Sequence, residues 1–267
     1  VGFCTRERVT APPAEKRSLW KNLTEMWRMQ SYRRILLSGL LRTPTGLMNL
    51  LQMTVLSYYF GNNGRTPYVH YMLLLGIPAF LGQLIAAGVA PKLADKYGAA
   101  TTFAQANVFA GLALLAAFAL FLCRPQQLTQ ALPFTLLILL LFCNMFCCGL
   151  VNTVQSILIA DAADLTEEES GIRRDGIFVS GQSLLIKLST GVSALLQGLV
   201  FAISGFSGTA VSQINRTLYA GADFATDPSF AAPRFAMFFL FLCLPGIAYL
   251  LSALPYRKSR NSHRVPE

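Results

Sequence analysis

Six predominantly apolar stretches follow one another along the chain, at 34–60, 69–90, 101–122, 132–160, 175–204 and 232–254. Each is long enough to cross a bilayer as a helix, which takes about 20 residues. The pattern predicts an all-α membrane protein, with the six-helix bundle occupying 34–254. Residues 1–33 precede it, and Pro12-Pro13 breaks their polar start. Ser18 then caps a short amphipathic helix, in which Leu19, Trp20, Leu23, Met26 and Trp27 recur at helical spacing among Lys21, Glu25 and Arg28. Trp and Arg on such a helix suit a membrane surface. Residues 255–267 form a basic tail.

The spans differ in their polar content. In the first, Ser38, Arg42, Thr45, Asn49 and Gln52 make a 4-3-4-3 stripe that Tyr59 continues, and Pro44 and Gly46 predict a kink. The second carries Pro78 with Gly76, Gly82 and Gly88, which favour close helix packing. The fourth carries Asn144, Asn152 and Gln155. In the fifth, Ser180, Ser183, Lys187, Thr190 and Gln197 share one face. The third and sixth carry almost no polar residues. This divides the bundle into two three-helix units, each with its last helix against lipid and its earlier helices along a path, a known transporter plan.

Lys187 stands out. It lies roughly 18 Å along its helix from Asp175, near the bilayer midplane. A lysine there costs about 2.5–3.5 kcal/mol on insertion scales and rarely faces lipid. It faces a water-filled path, or else it snorkels or sits in a structural ion pair.

Composition agrees with the spans: 54% of residues are hydrophobic and 13% charged. The net charge of +9 is mainly a matter of topology. Sixteen Lys and Arg fall on the side of the chain ends and even-numbered loops, and four on the other. The positive-inside rule then places both ends of the segment in the cytoplasm and gives no ground for a nucleic-acid partner. The six cysteines read as core packers, because no histidine or carboxylate joins Cys143 and Cys147 as a metal set. No catalytic residues and no metal site emerge. Ser183 and Lys187, four apart, evoke a Ser–Lys nucleophile, but neither an oxyanion hole nor a desolvated neutral lysine accompanies them. A structural subunit that moves nothing has no use for Arg42 and Lys187 inside its spans.

The run Asp161–Gly191 resembles a family signature. Asp161, Asp164, Glu167, Gly171, Arg173, Asp175 and Gly176 match without a gap, and Gln182 and Lys187 fall in register. This resembles the loop and eleventh helix of the glycoside–pentoside–hexuronide:cation symporters, the melibiose permease family of the major facilitator superfamily. Leu165 replaces the usual Tyr. The segment PKLADKYG, residues 91–98, is similar to the superfamily's short loop after the second helix of each half.

The resemblance implies the C-terminal half of a twelve-helix carrier, with 1–33 as its middle cytoplasmic loop. The implied function is alternating-access transport of a sugar or glycoside, an acidic one included, together with Na+ or H+. It implies a plasma (inner) membrane location and no cofactor beyond the coupling cation, held mainly by an N-terminal six-helix half that would be a partner along with the lipid bilayer. Substrate would meet Lys187, Gln182, Ser183, Asn49, Gln52, Arg42 and Asn152. Asp161, Asp164, Glu167, Arg173 and Asp175 would form a cytoplasmic salt-bridge gate. For that cluster a solvated loop is an equal reading, with Thr166 and Glu169 as a capping box. The position where the family carries a sugar-stacking aromatic is Asn152 here. The alternatives are a carrier of lipid or drug, and an inactive half or structural subunit.

Overall fold

The computed structural model describes Trp27 and residues 30–170, 175–203 and 208–256. The expected amphipathic helix before Trp27, the tail from residue 257 and Arg173 lie outside these residues. Among the described residues every regular element is a helix. Its elements are α1 (Gln30–Leu41), α2 (Gly46–Val55), α3 (Val69–Tyr97), α4 (Ala99–Cys123), α5 (Ala131–Ser170), α6 (Asp175–Ile203), α7 (Gly208–Tyr219), α8 (Ala231–Phe238) and α9 (Leu244–Ser252). Among the described residues, five stretches are long and apolar enough to cross a membrane: Val69–Tyr97, Ala99–Cys123, Ala131–Leu165, Ser180–Ala202 and Pro228–Tyr256. The last includes α8, a π-helical turn at Phe239–Cys243 and α9.

The first expected span, 34–60, is not among the five. It is split between α1 and α2 by a 3-10 turn at Thr43–Thr45 and ends in a π-helical turn at Leu56–Phe60. Pro44 explains the break. It has no N–H to give the preceding turn, and its ring disfavours the α conformation at Thr43.

Three segments expected as loops are helical. PKLADKY continues α3 as far as Tyr97, and Gly98 at φ 84° ends it. Residues 161–170 extend α5, so Asp161, Asp164 and Glu167 stand three apart on a helix. Within the expected loop 205–231, α7 buries Ile214 and Leu218.

α5 is the spine, with α3 and α4 packed along it and α9 against α4. α6 packs on the break between α1 and α2. At one end an aromatic cluster fills the core, with Phe121 stacked on Phe238 at 4.2 Å and Tyr59 edge-on to Phe238 at 5.0 Å. At the other, Ala86, Ala90, Val151 and Val154 pack with Tyr32 and Phe103. Polar pairs tie the helices together. Ser38 Oγ donates to the Ser252 carbonyl at 2.6 Å, and Ser252 Oγ lies 3.0 Å from Asn107 Oδ1.

Burial within the described chain differs from span to span. Half of the α4 window is buried and 56% of the last span, against 11% in α3 and 6% in α6. The apolar α4 and α9 bury themselves on one another, and the helices left uncovered are α3 and α6.

Of the three glycines expected to let α3 approach its neighbours, Gly82 does so. A Cβ there would stand 3.0 Å from the Phe142 carbonyl, whereas Gly76 and Gly88 face open space. Gly149 on α5 is the tighter point, since its Cβ would meet Ala86 Cβ at 2.7 Å. Gly149→Leu should therefore lower stability by about 1–3 kcal/mol, as overpacking does, while Gly88→Leu should leave it nearly unchanged. Thermal unfolding of the two variants in detergent checks the contrast, and equal losses would contradict this packing.

Candidate functional site

The break after α1 places a charged side chain inside the bundle. Arg42 is the residue just before the 3-10 turn, and its amide still bonds to the Ser38 carbonyl at 3.0 Å. Its Nη2 donates to Oε1 of the buried Gln155 on α5 at 2.7 Å. Its Nη1 is buried and has no hydrogen-bond partner. A guanidinium presents five donors in a rigid fork, suited to bidentate capture of a carboxylate or phosphate.

α6 adds hydrogen-bond donors at the break. Ser189 Oγ and Ser193 Oγ both donate to the Thr43 carbonyl, at 2.8 and 2.9 Å. The approach is close because residue 46 is glycine; a Cβ there would stand 2.6 Å from Ser193 Oγ.

Around Arg42 opens a cavity of about 400 Å³. Its polar lining comes from Arg42, Thr45 and Asn49 of the first segment, Gln83 of α3, Asn152 and Gln155 of α5, and Gln182, Ser189 and Thr190 of α6. Tyr249 and Cys148 complete it, with the Tyr249 hydroxyl donating to Cys148 Sγ at 3.3 Å. Side-chain amides both donate and accept, so this wall suits a ligand rich in hydroxyls.

The structure thus brings together four of the residues expected to bind substrate: Arg42, Asn49, Asn152 and Gln182. Three fall elsewhere. Gln52 lines a second, apolar cleft. Ser183 and Lys187 are exposed on α6 and do not line the cavity. The lining positions of α6 include Gln182, Ile186 and Ser189, and Lys187 stands about 100° round the helix from Ile186. Gln83, Ser189 and Tyr249 were not anticipated, and Gln155 was noted in the polar series of its span without being assigned to substrate. Gln155 had a signal, being three positions beyond Asn152 and so on the same face; Tyr249 had none, since it sits in an apolar span.

The stripe on the first span divides in the same way. Ser38 is fully buried and serves packing, and the Tyr59 hydroxyl donates to the Pro125 carbonyl at 2.9 Å. Asn144 is also structural, with its amide on the Ala110 carbonyl at 3.1 Å.

The acidic residues lie in a separate place. Asp161, Asp164 and Glu168 line a cavity of about 410 Å³ together with Arg34 and Tyr256. Glu167 is half-buried and outside that lining. The side chain of Asp175 is outside the described residues, as is Arg173.

Sequence comparisons bear on this geometry. A family model described as MFS/sugar transport protein matches residues 2–257. The "Inner membrane symporter YicJ" of Escherichia coli (strain K12) is 26% identical over 265 residues, covering 94% of this chain and 48% of that protein. The "Uncharacterized 29.9 kDa protein in crtE 3'region" of Pseudescherichia vulneris is 26% identical over 167 residues, covering 62% of this chain and 56% of that protein. The chain spans about half the length of the curated relatives it matches. No solved structure matches the chain significantly.

The Arg42–Gln155 pair yields a stability test. Gln155→Ala leaves a guanidinium inside the bundle with one partner fewer and should cost about 1–3 kcal/mol. The double variant Arg42→Met, Gln155→Leu should recover most of that loss, because no charge remains to be satisfied. Thermal unfolding in detergent reads both; a double variant as unstable as the single one would show that the pair does not act as described.

Proposed function

The chain belongs to the MFS/sugar transport protein family, and on that premise we propose that it forms the C-terminal half of a cation-coupled sugar or glycoside carrier working by alternating access. Family membership makes it part of an integral, multi-pass membrane transporter and not an enzyme. The rest is our reading: the substrate is an acidic sugar or glycoside, and Na+ or H+ moves with it.

One observation carries the choice of an acidic substrate. Arg42 lines a cavity whose other polar groups are amides, hydroxyls and a thiol, and its buried Nη1 has no hydrogen-bond partner. Amides and hydroxyls serve the hydroxyl groups of a sugar; the guanidinium calls for an anion. A carboxylate on the substrate supplies one when the cavity is filled.

An N-terminal half is the second element of the proposal. α3 and α6 are the least covered spans, and the exposed Lys187 lies on α6. A second six-helix unit laid over these two helices would close the cavity and shield Lys187 from lipid. On this reading Lys187 belongs to the seam between halves, where a carboxylate of the other half and the coupling cation would meet it. Asp161, Asp164 and Arg34, grouped at one end of the bundle, would act as the inner gate, with both ends of this segment cytoplasmic.

The test is uptake by the full-length protein in proteoliposomes. Accumulation of a labelled glucuronide should need a Na+ or H+ gradient. Arg42→Gln should lower glucuronide uptake about 10–100-fold, the worth of a charge-assisted hydrogen bond, and affect a neutral glucoside far less. Lys187→Ala should abolish gradient-driven accumulation while exchange persists. Equal loss of acidic and neutral sugars in Arg42→Gln would remove the acidic-substrate reading, and unchanged accumulation in Lys187→Ala would remove the coupling role.

A further inference from the structure

A groove of about 590 Å³ follows α4 and α5. α3 borders it with Leu93 and Tyr97 of its last turns, next to the bend at Gly98. α4 lines it from Thr102 to Ala116, a length of about 21 Å at the helical rise. The wall is mostly apolar, and Phe109 and Leu112 stand exposed on it. One leaflet of the hydrocarbon core is about 15 Å deep, so the groove is long enough for a single acyl chain.

Two features near Gly98 select the kind of lipid. The first is charge. Lys92 and Lys96 are exposed one turn apart on α3, and each directly precedes a residue that lines the groove. The Lys96 ammonium lies 5.1 Å from the centre of the Tyr97 ring, a cation–π distance that keeps it beside the mouth. Asp95 stands about 200° round the helix from Tyr97, on the opposite side. The acids of α5 begin at Asp161, about 16 Å along that helix from Leu150, where the groove ends. The second feature is Gln105, exposed on the groove wall two turns from Gly98. An amide among acyl chains is costly without a partner, and the ester carbonyl of a glycerolipid, just below its head group, accepts from one.

We propose that this groove binds a phospholipid with an anionic head group. The head group meets Lys92 and Lys96, an ester carbonyl accepts from Gln105, and one acyl chain lies along α4 toward Ala116. The groove shares no lining residue with the cavity at Arg42, so this lipid sits outside the proposed substrate path.

Native mass spectrometry of the full-length protein in detergent, with added lipid, tests the assignment. Dioleoyl phosphatidylglycerol should fill one site more tightly than dioleoyl phosphatidylcholine. Lys92→Gln with Lys96→Gln changes two exposed side chains, so folding is not at risk. It should weaken phosphatidylglycerol by roughly fivefold per lysine and leave phosphatidylcholine unchanged. Cys143→Trp, at an exposed position in the groove and shown to unfold at the wild-type temperature, should weaken both lipids. Equal affinity of the wild type for the two lipids overturns the proposal. So does a preference for phosphatidylglycerol that survives the lysine changes, because the head group then binds elsewhere. Unchanged binding in Cys143→Trp overturns the groove as the seat of the chain. Displacement of the lipid by glycerophosphoglycerol, a head group without chains, would reveal a site for free anions and overturn the proposal as well.

Discussion

The break at Thr43–Thr45 is the constraint on which the rest of the site depends. In a bilayer, backbone N–H and C=O groups without partners cost several kcal/mol each, so irregular backbone survives there only against protein or a wet cavity. Pro44 makes the break unavoidable, and Gly46 lets α6 come close enough to cover it. Ser189 and Ser193 then add two hydroxyl donors to the Thr43 carbonyl, which also accepts from the Gly46 N–H. What looks like a defect in a span is a joint, and it fixes α6 against the first segment while leaving Arg42 turned toward α5.

The polar residues inside the bundle do two different jobs. Ser38, Asn107, Asn144 and Ser252 are fully buried and bond to backbone or to one another across helices. Between helices in lipid, where the hydrophobic effect offers no drive to associate, such bonds and small residues supply the adhesion. Arg42, Asn152 and Gln182 bond little within the bundle and open onto one space. Whether a polar side chain already has its partner within the fold separates the residues that hold the helices together from those left to meet a ligand.

The spacing of polar residues along each span foretold this only in part. Apolar length located the strongest spans, Pro44 marked the break, helical spacing put Arg42 and Asn49 on one stripe, Asn152 stood in the polar series of its span, and the family resemblance supplied Gln182. A stripe cannot tell how its helix is rotated against its neighbours, however, and that rotation decided Lys187 and Ser183. Both lie on the polar face of α6, yet the cavity takes the flank a quarter turn away, where Ile186 and Ser189 stand. The charged segments 91–97 and 161–170 read as loops because charge density suggested solvent. Charge does not end a helix; Gly98 did, at a positive φ no other residue adopts easily. The aromatic contacts that pin the far end of the core join residues more than a hundred positions apart, Phe121 and Phe238 among them, and no local pattern encodes them.

The position of Lys187 then becomes informative for a different reason. On the helix as it stands, a lysine roughly a dozen residues from either end would project from a surface that the bundle hardly covers. If lipid were the neighbour, the ammonium would have to be carried to an interface by a stem about 6 Å long, from a depth of roughly 18 Å. The stem falls short by a wide margin. A protein surface with its own anion relieves that conflict, and the same surface would also cover α3, whose exposed Leu73, Ile77, Phe80 and Leu84 need an apolar neighbour of some kind. α3 alone is content in hydrocarbon; α6 is not. On the proposed reading it is therefore α6, through one lysine, that requires the second half to be present, and α3 that lets the halves slide apart and back without exposing charge to lipid.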